Sequence, residues 1–86
     1  MGDILITFEK QSAAFNLKRA ASRTGIGVKI VQTPREISDM GCMYAILAKR
    51  RDMSALLSAC RNYKIEYRRV FAVFISPDGK KVYSQI

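Results

Sequence analysis

Two segments with apolar residues at helical spacing, each set between strand-like runs, constrain the fold of this chain most strongly. In the first, Ala13, Ala14, Leu17, Ala20, Ala21 and Thr24 share one helical face, with Phe15 outside it. In the second, Met53, Leu56, Leu57 and Cys60 fall at i, i+3, i+4 and i+7. A stripe of this kind is stable only against another layer, so both helices need a sheet beneath them. Ser12 reads as the N-cap of a helix running to about Thr24, and Gly25 stands where a left-handed C-cap is expected. Asp52 reads as the N-cap of the second helix, which ends around Asn62.

The intervening segments alternate as strands do. Residues 3–8, 27–32, 43–48, 65–76 and 80–86 carry the β-branched and aromatic residues, and Pro77-Asp78-Gly79 supplies a turn before the last of them. The order β-α-β-β-α-β, with one more strand forming a C-terminal hairpin, predicts an α+β, ferredoxin-like sandwich. Both helices then lie on one face of an antiparallel sheet. At 86 residues the chain is long enough for a single domain, residues 1–86, and a thin core.

Composition narrows the chemistry. The hydrophobic fraction is 49 %, and no apolar run approaches the ~20 residues that cross a bilayer. The opening Met1-Gly2-Asp3-Ile4 lacks a signal peptide's basic segment and cleavage site. A soluble, cytoplasmic protein without a membrane partner is the expectation. Two cysteines do not make a disulfide framework, and they are too far apart for a Cys-x-x-Cys pair. The absence of histidine removes serine and cysteine triads and most zinc sites. With no glycine-rich phosphate loop either, the sequence suggests neither a metal nor a cofactor. Any chemistry must run through a thiol, a carboxylate or a lysine. The net charge of +8 permits an anionic partner, but the basic residues are scattered over both helices, their flanks and the final hairpin.

The segment Thr33-Pro34-Arg35-Glu36-Ile37-Ser38-Asp39-Met40-Gly41-Cys42 is the candidate functional loop. A free thiol has a pKa of ~8.5 and must ionise to act as a nucleophile, which a nearby guanidinium or backbone N–H favours. Arg35 precedes Cys42 by seven residues, Pro34 restricts the loop and Gly41 lets it turn. Two readings stand side by side. In one, Cys42 is a small buried apolar residue in a structural crossover; in the other, it is a reactive thiol tuned by Arg35.

The first strand Ile4-Leu5-Ile6-Thr7-Phe8, the helix closed by Gly25-Ile26 and the Thr33-Pro34-Arg35-Glu36-Ile37-Ser38 run before a cysteine resemble the selenium/sulfur (Se/S) carrier protein-like family. The resemblance covers roughly residues 3–70. The family's order after the serine is cysteine then glycine, whereas this chain has Gly41 then Cys42. In an extended segment that one-residue shift turns the side chain to the opposite face. The resemblance implies a carrier, not a true enzyme, in which Cys42 holds a persulfide or selenopersulfide. Arg35, Ser38 and Gly41 would form the substrate-binding surroundings, with Arg35 favouring the thiolate and Ser38 donating a hydrogen bond or organising the loop. Its partners would be a cysteine desulfurase- or selenocysteine lyase-like donor and an acceptor enzyme.

The competing reading is a non-catalytic ferredoxin-like binding or assembly module, with nucleic acid as a candidate ligand for the basic surface. Arg69-Val70-Phe71-Ala72-Val73-Phe74 faintly resembles the aromatic strand of RNA-recognition modules, but Phe71 and Phe74 are three apart and face opposite sides of a strand. The apolar fourth strand and an unguarded final strand also lead to the expectation of a homodimer formed through the sheet.

Overall fold

The computed structural model describes residues 2–37 and 44–86. Five strands, β1 (Asp3–Phe8), β2 (Lys29–Gln32), β3 (Tyr44–Lys49), β4 (Val70–Ile75) and β5 (Lys81–Gln85), form one sheet in the order β2-β3-β1-β4-β5. Every neighbouring pair is antiparallel. Helix α1 (Gln11–Arg23) links β1 to β2, and α2 (Met53–Asn62), entered through a 3-10 turn over Arg50–Asp52, links β3 to β4. The first four strands and two helices make the ferredoxin-like α+β arrangement, and β5 extends the sheet beyond β4.

Alternation along the strands divides the sheet into two apolar faces. Ile4, Ile6 and Phe8 of β1, Ile46 and Ala48 of β3 and Val70 of β4 face the helices, where they form one core with Ala14, Leu17, Ala21, Leu56 and Cys60. Burying a leucine-sized side chain stabilises by roughly 1.5–3 kcal/mol, so this layer holds the two helices on the sheet. On the opposite face Leu5, Ala45 and Phe71 form a second, smaller buried cluster. A face of an antiparallel sheet without helices ordinarily meets water; here part of it does not, and the chain that covers it carries the candidate functional segment.

The ends of the elements depart from the sequence expectations in instructive ways. Lys10, in extended conformation, is the N-cap of α1 and offers no side-chain hydrogen bond, so Ser12 lies inside the first turn. Asp52 does occupy the N-cap position of α2, again without a side-chain cap bond. Thr24 is exposed where the stripe predicts burial; its hydroxyl instead donates to the Ala21 carbonyl at 2.9 Å. Gly25 takes φ +79 as expected. The strands β2 and β5 are shorter than expected, and β3 runs one residue further.

The largest difference concerns β4, which begins at Val70 and not near Ile65. The cause is local. Thr7 N–H donates to the Arg69 carbonyl at 2.9 Å while Arg68 N–H donates to the Thr7 carbonyl at 2.8 Å. Two residues therefore oppose one, the pattern of a β-bulge. The leftover Arg69 N–H donates to the Thr7 hydroxyl at 3.1 Å, which satisfies a buried threonine.

The hairpin between β4 and β5 closes as the sequence predicts. Gly79 N–H donates to the Ser76 carbonyl at 2.9 Å, with Pro77 and Asp78 in the centre of the turn and Gly79 at φ +87. Asp78 accepts from the Ser76 hydroxyl and from the Lys80 N–H, and these bonds hold its carboxyl below the usual carboxylate range.

Candidate functional site

Residues 33–37, which follow β2, fold back over the helix-free face of the sheet. Thr33 and Pro34 are half-buried, and Ile37 N–H donates to the Pro34 carbonyl at 3.1 Å to close a 3-10 turn over Arg35–Ile37. Pro34, whose own φ is fixed by its ring, stands just before the turn and supplies the accepting carbonyl. Arg35 and Glu36 point outward and are exposed, whereas Ile37 packs against the cluster of Leu5, Ala45 and Phe71. The Thr33 hydroxyl is buried without a hydrogen-bond partner among the described residues.

Tyr83 of β5 packs against the same cluster from the other side. The register that pairs Tyr83 with Val73, and Val73 with Asp3, places the ring on the helix-free face. Its phenol is pushed above the ordinary tyrosine value, chiefly by burial and further by the negative charge of Glu36. The packing of Ile37 on Leu5, Ala45 and Phe71 places the turn above the inner strands, and Tyr83 borders the same cluster from the added strand.

Of the residues singled out from the sequence, the structure places Arg35 on the exposed rim of this turn. Ser38, Gly41 and Cys42 lie outside the described residues. The second cysteine is unreactive by position. Cys60 is 2 % exposed in the helix-side core, and burial pushes its thiol up to about 11 from 9.0. A thiol held that high is protonated at neutral pH and shielded from reagents. One concave site of the described surface, of about 360 Å³, is lined by Gly2, Lys49, Arg50 and Arg51.

Sequence reasoning missed Tyr83. The alternation of the last strand does set Tyr83 apart from Val82 and Ser84, but only the strand pairing places it on the face where Ile37 packs.

A family model described as "Putative Se/S carrier protein-like" matches residues 3–72. The chain belongs to this family. The match spans β1, both helices, the candidate loop and the start of β4, and it ends before the hairpin turn and β5. No curated protein and no solved structure matches the chain. Among the described residues no helix is long and apolar enough to cross a membrane.

Proposed function

We propose that this member of the Se/S carrier protein-like family carries the chalcogen on Cys42. The observation that carries this reading is the family match across residues 3–72, which takes in the whole Thr33–Cys42 segment. The state of the other thiol supports it: Cys60 is buried and strongly protonated, which leaves Cys42 as the candidate nucleophile of a chain with two cysteines.

The transfer balances without an added oxidant or reductant. The Cys42 thiolate attacks the terminal, sulfane sulfur of a persulfide on a donor protein. The donor's S–S bond breaks, a new S–S bond forms on Cys42, and the donor leaves as a thiolate. Delivery is the same step in reverse, with an acceptor nucleophile taking the terminal atom and Cys42 leaving as the thiolate. A selenium atom follows the same path. Arg35 favours the anionic states at both ends of the cycle, and Ser38 and Gly41 shape the loop around the thiol. The donor is a cysteine desulfurase- or selenocysteine lyase-like enzyme, and the acceptor is an enzyme that uses sulfur or selenium.

The strand that resembles an RNA-recognition motif divides its two aromatics between the faces of the sheet. Phe71, the aromatic that an RNA-binding strand would present, is 6 % exposed, and Phe74 lies on the opposite face.

Incubation with a cysteine desulfurase and cysteine, followed by intact-mass and peptide spectrometry, tests the carrier reading. The expected result is a gain of one sulfur atom on the peptide bearing Cys42, reversed by a reducing thiol and absent in Cys42→Ser. Loading on Cys60, or no loading with a desulfurase that persulfidates a control acceptor, would overturn it.

A further inference from the structure

We propose that the open end of the helix-free sheet face is a docking surface for an acidic segment of a partner protein, one that carries aliphatic side chains among its carboxylates. The inference is independent of the role given to Cys42.

The surface begins where the inner cluster stops. Ile37 and Tyr83 pack on Leu5, Ala45 and Phe71, but the same face continues past them to the end of the sheet at which Asp3, Lys49 and Ile75 lie. There Leu47 and Val73 are half-buried and Ile75 is 73 % exposed. These three side chains come from β3 and β4, with β1 running between them, and they line a concavity of about 400 Å³. That volume is within the ~300–1,000 Å³ of ordinary ligand sites. An aliphatic floor left open to water marks a contact surface.

Charge gives the floor its specificity. Arg50 and Lys81 line the same concavity. The one of about 360 Å³ shares Gly2 and Arg50 with it and adds Lys49 and Arg51. Among the described residues lining the pair, four cations face one carboxylate, that of Asp3, which Lys49 already holds at 3.3 Å. Arg50, Arg51 and Lys81 take part in no ion pair among the described residues. Like charges gathered beside an apolar floor repel one another and attract an anion. Apolar contact from the floor and charge from its border call for a ligand that offers both.

The observations favour a peptide over other polyanions. On this face a second copy of the chain would bring its own net charge of +8 toward the same cations, and like charges across an interface are unfavourable. Single-stranded nucleic acid binds such grooves by stacking its bases on rings. Here the floor is aliphatic, and Phe74, which borders the concavity, is on the opposite side of β4 from Val73 and Ile75. An acidic peptide with leucine-like side chains matches both parts. Its aliphatic groups settle on Leu47, Val73 and Ile75, and its carboxylates meet Arg50, Arg51 and Lys81.

The test titrates the full chain with a synthetic peptide in which leucines alternate with glutamates, followed by amide NMR. Shifts are expected to concentrate at Leu47, Lys49, Arg50, Val73 and Ile75, and affinity to fall severalfold as salt rises from ~0.05 M to ~0.5 M. Replacing the leucines by serine, or the glutamates by glutamine, should each weaken binding severalfold. Ile75→Ser and the double variant Arg50→Glu with Lys81→Glu should do the same to the parent peptide. All three positions are exposed, and circular dichroism establishes that the variants are folded. Lys18→Glu, on the exposed side of α1, should leave binding unchanged. The absence of shifts at these positions up to about 1 mM peptide would overturn the inference. So would an equal loss in Lys18→Glu, which means diffuse attraction to a cationic protein. A single-stranded oligonucleotide of similar charge that binds more tightly than the peptide would also overturn it and make the groove a nucleic-acid site. Sulfur loading is measured separately, and neither result decides the other.

Discussion

Lys64 holds at the end of α2 the backbone position that Gly25 holds at the end of α1. Ile26 N–H donates to the Ala21 carbonyl at 2.9 Å and Gly25 N–H to Ser22 at 3.1 Å; Ile65 N–H donates to Cys60 at 2.8 Å and Lys64 N–H to Arg61 at 3.4 Å. Both helices therefore close with the same pair of reversed hydrogen bonds, around a residue at φ +79 in one and φ +55 in the other. In each case the next residue, Ile26 or Ile65, packs into the helix-side core.

Glycine adopts this conformation freely and lysine does not, so the two positions should respond in opposite directions. Lys64→Gly is expected to raise stability by about 0.5–1 kcal/mol, and Gly25→Ala to lower it by about 1 kcal/mol, although an added Cβ at Gly25 meets no atom within 4 Å. Urea unfolding of the two variants beside wild type measures both. A destabilised Lys64→Gly would mean that the lysine side chain contributes more than its backbone strain costs.

The same comparison shows where the sequence is informative. The helical stripes, the Gly25 cap and the Pro77–Gly79 turn rest on local rules of spacing and φ, and each is readable residue by residue. A left-handed cap at lysine is invisible to those rules, because nothing in its side chain announces the conformation. The late start of β4 depends on a bulge that Arg68 and Arg69 form against Thr7, a partner in another strand. The candidate loop was legible as a motif, through Thr33, Pro34 and Arg35. The packing of Ile37 on Leu5, Ala45 and Phe71, beside Tyr83 on the same cluster, depends on contacts between distant parts of the chain.

Leu17 and Phe15 give the sharpest contrast within one helix. Leu17 is fully buried between helix and sheet, while Phe15 is 44 % exposed two residues earlier. Leu17→Ala should cost about 2–5 kcal/mol through lost burial and the cavity left behind. Phe15→Ala should stay within about 0.5 kcal/mol. Chemical denaturation gives both values. A large loss at Phe15 would point to packing that its exposure conceals.

Cys60 makes stability depend on alkaline pH. Its folded value of about 11 exceeds the ordinary 9.0 because burial disfavours the thiolate. Between those two values the unfolded chain has released the proton and the folded chain still holds it, so stability falls as pH rises through that window. The loss attributable to this thiol is at most on the order of 3 kcal/mol. Urea midpoints at pH 8 and above should decline more steeply in wild type than in Cys60→Ala, whose remaining slope reports the tyrosines and lysines. Equal slopes would show that the thiol ionises without penalty.

Arg35 is exposed on its turn and supports no core packing. Arg35→Ala should therefore leave stability within about 0.5 kcal/mol of wild type. Its effect should fall on the thiol: loss of the guanidinium disfavours the thiolate and slows alkylation of Cys42 at neutral pH, with the midpoint moved upward. Arg35→Lys keeps the charge and should recover part of the rate. A profile identical in all three proteins would remove Arg35 from the proposed site.

A homodimer through β5 is the expected assembly. Of the large hydrophobic residues left exposed, Phe74, Ile75, Val82 and Ile86 all belong to the C-terminal hairpin region, and among the described residues β5 pairs with β4 alone, which leaves its other edge without a strand partner there. A free edge of this kind accepts another strand unless charge or proline blocks it. Lys81 guards one end of β5, and no proline interrupts the strand. Antiparallel pairing with a second copy about Tyr83 would set Lys81 opposite Gln85, which avoids a clash of like charges, and would bring the two Val82 side chains to the same face beside Phe74. Sedimentation across the micromolar range should show a dimer in wild type, weakened by Val82→Lys and retained in Phe15→Ala. A monomer that persists to the top of that range would show that the hairpin edge remains unpaired.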